Sequence, residues 1–413
     1  MSQGFSLADL STPKLRPGLE AALGSNPNTV ILSDRFRIGR PLVLSRAAFD
    51  LILLFDGKKT LSVLQSESAL MFEGTEVPIA TFENLLTGLD QEYYLESPRL
   101  LARLNEPDRP PSCIGCYDAD PEKASKQLRK LFTAHGGPGL PGEPGCRIET
   151  EGPVRAVLLP HMDYQRGGVT YGWGLKELVE RTDASLFVII ATSHYPFAGG
   201  RFKLTRQNFC SPFGRVETDQ AHIDRIVKHF GDGLFDDPFS HIPEHSIELE
   251  VVGMQFAFGG KRPFRIVPLL VGSFCDSLSN RTRPGQQEDI ARMIEAIRLA
   301  EAEAGESICY VISGDLAHIG PKFEDENLVD NEILQHSRMQ DDLLISRAVA
   351  ADADGYFDVI AAENDVRRIC GLPPTYVTLG AAKPTSGRLL HYGRFVHPEG
   401  FESVSFASIA FER

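Results

Sequence analysis

Several features that mark secreted, membrane or nucleic-acid-binding proteins are scarce in this sequence. Lys and Arg number 42 against 56 Asp and Glu, so the formal net charge is −14, and such a chain lacks the basic surface that nucleic-acid binding requires. Its longest apolar runs, such as residues 184–191, fall far short of the roughly 20 residues that cross a bilayer. We therefore expect neither a nucleic-acid partner nor a membrane location.

Cysteine is also scarce, with seven residues scattered along the 413 of the chain. An odd, dispersed set is typical of a reduced protein, and the N-terminal residues lack the basic start and apolar core of a signal peptide. We therefore expect a cytoplasmic protein. Cys113 and Cys116 form a lone C-x-x-C pair. Without a second pair or a nearby pair of histidines, two incidental thiols are favoured over a zinc site.

No nucleotide-binding or serine-hydrolase signature follows a predicted strand. A G-x-S-x-G elbow, a P-loop and a G-x-G-x-x-G turn are all missing from those positions. Their absence argues against a serine hydrolase, an NTPase and a Rossmann dehydrogenase.

The chain is longer than the size at which a single hydrophobic core usually stops growing, so two domains are expected. Residues 1–107 mix short strand-like and helical segments, which predicts a small winged-helix-like α+β domain, and the polar, Pro-rich residues 105–112 form a linker. Residues 16–70 loosely resemble PqqD-like peptide-recognition domains, which implies a bound peptide or protein partner. A structural appendage without a ligand is the alternative.

Residues 108–413 form the second predicted domain. After a Gly- and Pro-rich loop at 135–145, continuous apolar segments alternate with amphipathic ones. The apolar segments include residues 155–160, 185–193, 264–272 and 308–313. This alternation predicts an α/β fold with a central, largely parallel sheet covered by helices on both faces.

Polar residues suited to metal or acid–base chemistry follow three of these strands. In an open α/β sheet, ligands bind beyond the carboxyl ends of the strands. The residues at these positions are His161, Asp163, His194, Asp315 and His318, and a loop that begins a helix adds Glu244 and His245. A single His after a strand is more typical of a hydrogen-bonded loop residue. Because several such strands end in His, we expect one shared site.

Imidazole combined with carboxylate leaves open coordination positions on Fe(II) for substrate and O₂. His161 and His194 are the expected metal ligands. His245 and His318, with Glu244 beside them, are expected to move protons, because an unperturbed imidazole titrates near neutral pH. Metal-assisted hydrolysis with the same ligands is the rival mechanism.

Seven segments within residues 112–413 resemble motifs of the MEMO family, the B component of the AmmeMemoRadiSam set, and they occur in the same order as in that family. The segments are CYDADPEKASKQLRKLF (116–132), LPHMDY (159–164), ATSHYPF (191–197), EHSIELE (244–250), IVPLLVG (266–272), SGDLAHIG (313–320) and CGLPPTYV (370–377). The resemblance implies a fold similar to that of the class III extradiol dioxygenases, which are non-haem Fe(II) enzymes. It also implies that His161 and His194 bind the metal and that His245 acts as acid or base.

The sequence departs from that family at three positions of the expected crevice, one of which is Tyr195, where the family has a second consecutive histidine. Animal members have a cysteine just before the last histidine as an implied third ligand, and Ala317 stands there in this chain. A glycine of the first histidine segment is replaced by Asp163. We therefore expect Asp163 or Asp315 to supply an oxygen ligand. The alternative gives Asp315 a turn-capping role and leaves Asp163 solvated.

Together these patterns predict a metal-dependent, dioxygenase-like oxidoreductase, with Fe(II) as the expected metal and zinc or copper as alternatives. Its substrate is an unknown small molecule or peptide. The alternative function is a binding or scaffold protein that keeps the fold without turnover and captures a partner through its N-terminal domain. Ala317 and the additional N-terminal domain favour that alternative.

Overall fold

A computed structural model describes residues 10–195 and 198–413. Residues 1–9, on which the expectation about a signal peptide depends, lie outside this description, as do residues 196–197 of the ATSHYPF segment. The chain divides into two compact units between Glu106 and Pro107. Each unit has its own hydrophobic core.

The N-terminal unit is a three-stranded antiparallel sheet followed by helices. Its elements are β1 (Leu19–Leu23), β2 (Thr29–Asp34), β3 (Leu42–Ser45), α1 (Arg46–Ile52), α2 (Leu61–Met71), α3 (Ile79–Gln91) and α4 (Pro98–Leu104). The central strand β2 buries Val30 and Leu32, and α3 buries Phe82 and Leu86 in the core of this unit. The expected winged-helix and peptide-binding resemblance stays a prediction.

The second unit contains an 11-stranded sheet in the described part of the chain. Its strands are β4 (Asp108–Arg109), β5 (Val154–Leu159), β6 (Leu186–Thr192), β7 (Phe202–Leu204), β8 (Asn208–Ser211), β9 (Gly214–Thr218), β10 (Arg265–Val271), β11 (Ile308–Ser313), β12 (His318–Ile319), β13 (Ser386–Val396) and β14 (Ser403–Glu412). The order is β12-β14-β5-β11-β6-β10-β9-β8-β4, with β13 paired to β14 and β7 to β10. The central strands β5, β11, β6 and β10 run parallel.

Helices cover both faces of this sheet, as the sequence predicted. They are α5 (Pro121–Thr133), α6 (Ile148–Glu151), α7 (Tyr164–Gly167), α8 (Val169–Glu180), α9 (Gln220–Phe230), α10 (Ser246–Phe258), α11 (Cys275–Asn280), α12 (Glu288–Ala302), α13 (Asn331–Val349), α14 (Ala353–Ala362) and α15 (Leu372–Ala382). None of the helices within residues 10–195 and 198–413 has the length and apolar character that a membrane span requires.

Strand β6 shows why the second unit is a buried parallel sheet. Every residue of this strand is buried. Because successive side chains of a strand point to opposite faces, Val188 and Ile190 pack with α9, α12 and α15, whereas Phe187 and Ile189 pack with α5, α8 and α10. A strand buried on both sides has to be apolar throughout. This confirms the predicted α/β class.

The strand register sets the position of the site. Ser313 at the end of β11 pairs with Leu159 at the end of β5 and with Ala191 near the end of β6. The three strands therefore finish at one level of the sheet. Residues that follow them by two or three positions necessarily meet in the same crevice.

A glycine at the contact between two helices offers a test of this packing. A Cβ on Gly172 of α8 would lie 2.1 Å from the backbone oxygen of Leu131 in α5. We predict that Gly172→Ala lowers the free energy of unfolding by about 1–3 kcal/mol, because backbone atoms cannot yield as a side chain can. Denaturant unfolding followed by circular dichroism measures the loss.

The matched control is Gly88→Ala in α3, where an added Cβ meets nothing within 4 Å. Alanine at that position should stabilise the helix by about 1 kcal/mol through its higher propensity. A Gly172→Ala protein as stable as the unsubstituted chain would contradict the packing described for α5 and α8.

Candidate metal centre

Three histidine side chains converge beyond the ends of the parallel strands. His161 follows β5, His194 follows β6, and His245 caps the N-terminus of α10. One ligand nitrogen from each lies within 4.8 Å of the other two. The ring centroids are 4.6 to 5.5 Å apart. Since metal–imidazole bonds are about 2.0–2.1 Å long, small side-chain adjustments would let one ion touch all three rings.

His161 is the most deeply buried member of this cluster, with 2% of its surface exposed. Its Nδ1 lies 3.3 Å from the Ser313 hydroxyl. Burial, reinforced by the neighbouring His194 and His245, holds the pKa of His161 well below its usual range. The ring is therefore neutral at physiological pH, which is the protonation state that metal binding requires.

The buried carboxylate of Glu244 organises the other two rings. It accepts hydrogen bonds from the backbone N–H of His194 at 2.7 Å, of His245 at 2.9 Å and of Ser246 at 3.1 Å. It also lies 3.0 Å from Nδ1 of His194. A carboxylate on one ring nitrogen fixes the orientation of an imidazole and directs its other nitrogen toward a metal.

The charge of Glu244 also sets the protonation of its neighbours. Burial alone would raise the pKa of this carboxyl, but the adjacent His194 outweighs burial and lowers it below the usual range. Burial alone would likewise lower the pKa of His194, and Glu244 raises it instead. Glu244 was predicted as a catalytic residue, and the structure places it behind the rings, in contact with the ligand candidates.

The two aspartates proposed as oxygen ligands occupy different surroundings. Asp315 is buried, accepts from the backbone N–H of His161 at 3.1 Å, and lies 3.9 Å from Nε2 of the same ring. Burial raises the pKa of Asp315 to about 7. Asp163 instead caps α7 by accepting from the N–H groups of Gln165 and Arg166, and it pairs with the Arg166 guanidinium. Of the two aspartates, Asp315 is thus the one that lies beside an imidazole of the cluster.

His318 lies next to this cluster but outside the group of three. Its Nδ1 is 3.1 Å from the carbonyl of Leu316 and 3.0 Å from that of Arg368. Burial, together with the charge of His194, lowers the pKa of His318 to about 4. Since carbonyl oxygens only accept hydrogen bonds, Nδ1 carries the proton of the neutral ring and Nε2 keeps its lone pair. Nε2 is therefore the nitrogen of His318 that is open to a proton or a ligand.

Sequence reasoning missed Cys370. Its Sγ lies 3.2 Å from Nε2 of His161, and its carbonyl accepts from the Thr192 hydroxyl at 2.6 Å. The sequence prediction looked for a thiol at position 317, where a buried alanine stands. The segment CGLPPTYV, which begins at Cys370, served only as one of the segments that resemble the family. The cysteine at its start was the sequence signal from which a thiol near the histidines could have been predicted.

The chain resembles known proteins over most of its length. The family described as Memo-like protein matches residues 109–410. A MEMO1 family protein of Aquifex aeolicus is 22% identical over 393 residues, which cover 92% of this chain and 95% of that protein. A MEMO1 family protein of Methanopyrus kandleri is 28% identical over 316 residues, covering 74% of this chain and 99% of that protein. The second unit alone is about three quarters of the chain, so the Aquifex match reaches into the N-terminal unit.

The role of Glu244 predicts the effect of removing its charge. We expect Glu244→Gln to weaken Zn²⁺ binding by about 10- to 100-fold, because the amide can no longer hold His194 and His245 as a carboxylate does. Competition with a chromophoric chelator measures the affinity, and anaerobic titration with Fe(II) repeats it.

Glu303→Gln is the matched control. Glu303 also contacts an imidazole, His229 at 2.9 Å, but on the protein surface. Its substitution should leave metal affinity unchanged. Equal affinities for the two variants would show that Glu244 has no special part in arranging the rings.

Proposed function

This chain belongs to the Memo-like protein family, and on that premise we propose that it binds one metal ion between His161, His194 and His245. The observation that carries the proposal is the convergence of these three side chains from separate parts of the chain to within 4.8 Å. Glu244 lies beside Nδ1 of His194 and of His245, which leaves Nε2 of both rings available. The donor set is neutral or easily neutralised imidazole, with the carboxylate of Asp315 adjacent.

Fe(II) is the metal we propose for this site. Imidazole and carboxylate donors suit iron, and zinc and copper accept the same nitrogen ligands. Bound Fe(II) would supply open coordination positions and redox chemistry toward O₂. The activity proposed on this basis is that of a dioxygenase-like oxidoreductase acting on an unknown small molecule or peptide.

Glu244 and His318 have separate roles in the proposed reaction. Glu244 orients His194 and His245 from behind. His318, whose Nδ1 proton is held by two carbonyls, presents Nε2 to accept a proton from a substrate hydroxyl. The cluster lies where the carboxyl ends of buried strands meet, and His194 and His245 are exposed enough for a substrate to reach them.

Two ligand sets fit this proposal. In the first, His161, His194 and His245 bind the ion and His318 moves the proton. In the second, Asp315 replaces His245 in the metal shell and His245 becomes an acid or base, as predicted from the sequence. The short separations among the three rings favour the first set.

A scaffold function is the second candidate. Nε2 of His161 already has a neighbour in the Cys370 thiol at 3.2 Å, so one metal-facing atom has a protein partner. In this alternative the site binds metal weakly or without turnover. The N-terminal unit would then capture a peptide or partner protein in the cytoplasm.

Metal analysis tests the proposed function. We predict about one iron per chain in protein purified anaerobically, and loss of that iron in His161→Ala and His194→Ala, because a ligand nitrogen is removed. His397→Ala changes a histidine whose ring packs on Phe401, away from the cluster, and should retain the metal. Oxygen consumption with a panel of catechols then reports turnover. Absent iron, or iron that survives both substitutions, would contradict the proposed site.

A pair of variants separates the two ligand sets. With the first set, His245→Ala should release most of the metal while Asp315→Asn retains it. With the second set the order is reversed, and His245→Ala should keep the iron but lose turnover. Mass spectrometric metal counting, with circular dichroism to confirm folding, distinguishes the outcomes. If neither variant changes metal content, both ligand sets are wrong.

A further inference from the structure

The C-x-x-C pair lies on a tight turn outside the histidine cluster. The backbone N–H of Cys116 donates to the carbonyl of Cys113 at 3.0 Å, and Gly115 between them has φ of +114°. Such a turn brings the Cα atoms of its first and fourth residues within about 7 Å, and disulfides span about 4.4–6.8 Å between Cα atoms. The turn therefore holds the two cysteines at a separation that a disulfide can span.

A buried ionic network holds this turn in place. The carboxylate of Glu248, on α10, pairs with the buried Arg109 guanidinium and accepts from the backbone N–H of Ser112 at 3.0 Å. It also accepts from the N–H of Cys113 at 3.0 Å and from its thiol at 2.8 Å. Cys113 thus has a carboxylate next to its sulfur, and the backbone before the turn is fixed.

The two thiols differ in exposure and in acidity. Cys113 is buried and Cys116 is only half-buried. Burial raises the pKa of Cys113, whereas the neighbouring Cys113 thiol lowers the pKa of Cys116. An accessible, more acidic thiol beside a buried one is the arrangement in which the first attacks an external disulfide and the second resolves it.

The exposed side of the turn faces a cleft of about 730 Å³. Ile114, Gly115 and Tyr117, which flank Cys116 in sequence, line it together with Gln127 and Lys130 of α5. A small disulfide could approach the turn from this side.

A zinc role for the pair lacks support in the geometry. Across residues 10–195 and 198–413, the group of three or more potential ligands within range of one ion is the histidine cluster. A structural zinc site needs four donors. Cys113 and Cys116 provide two.

We propose that Cys113 and Cys116 form a redox-active dithiol that exchanges with low-molecular-weight or peptide disulfides. The Cys116 thiolate attacks one sulfur of the external disulfide and displaces the first thiol. As the Cys113 sulfur then attacks Sγ of Cys116 and breaks the mixed disulfide, the second thiol departs and takes up the proton that Cys113 gives up. The protein loses two protons and two electrons, and the external disulfide is reduced to two thiols. This proposal is independent of any metal at the histidines.

Equilibration of the full chain with graded mixtures of reduced and oxidised glutathione tests the pair. After acid quenching, thiols are alkylated in denaturant and located by peptide mass spectrometry. We expect the free thiols of Cys113 and Cys116 to disappear together. One intramolecular disulfide should replace them, and its mass should be lower than that of the dithiol by two hydrogens. The exposed Cys146 and Cys275 should carry single glutathione adducts or remain free.

Two variants test the order of attack. Cys113→Ser should trap a stable glutathione adduct on Cys116, because no second thiol remains to resolve it. Cys116→Ser should react about tenfold more slowly at Cys113, because that thiol is buried and protonated. Cys275→Ser is the control and should form the intramolecular disulfide as the unsubstituted chain does.

Two results would overturn the proposal. One is that Cys113 and Cys116 stay reduced in glutathione mixtures that already modify Cys146 and Cys275. The other is equal adduct formation in Cys113→Ser and Cys116→Ser. Circular dichroism confirms that both serine variants are folded, so a loss of reactivity cannot be assigned to unfolding.

Discussion

The buried carboxylate of Glu244 is the interaction on which the site depends. An ionised carboxylate away from water is costly unless charges and hydrogen-bond donors surround it. Glu244 has these partners because the start of α10 and the residues after β6 supply backbone N–H groups and a ring nitrogen. The same contacts fix His194 and His245 relative to each other. The Glu244 carboxylate therefore contributes both to the packing of the fold around it and to the arrangement of the proposed metal ligands.

Helix α10 connects this site with a second buried charge. Glu248 lies one turn beyond His245 and pairs with Arg109 on the strand that opens the second unit. That pair fixes the turn that carries the two adjacent cysteines. Helix α10 and the residue before it therefore carry an imidazole of the proposed metal site and the carboxylate beside the two thiols. Oxidation of the thiols would remove the Cys113 proton donor from Glu248, one helical turn from that proposed site.

Much of the architecture and part of the site could be predicted from the sequence. Continuous apolar strands indicated a buried parallel sheet, and because such strands end together, His161 and His194 could be expected to meet. The place of His245 depends on where α10 starts, and Glu244 fixes that start by accepting from the backbone N–H of Ser246 and of the distant His194. Cys370 is 209 residues from His161 in sequence, and only the packing of α15 brings it close. Sequence patterns over a few residues do not show that two such distant residues come into contact.

The proposed chemistry requires one ion between the three histidines. A crystal of the iron-loaded protein, with diffraction data collected on both sides of the iron absorption edge, would show where that ion lies. We expect a single anomalous peak within bonding distance of nitrogens of His161, His194 and His245. An iron peak elsewhere in the chain, or three rings hydrogen-bonded only to protein atoms in a crystal grown with excess Fe(II), would contradict it.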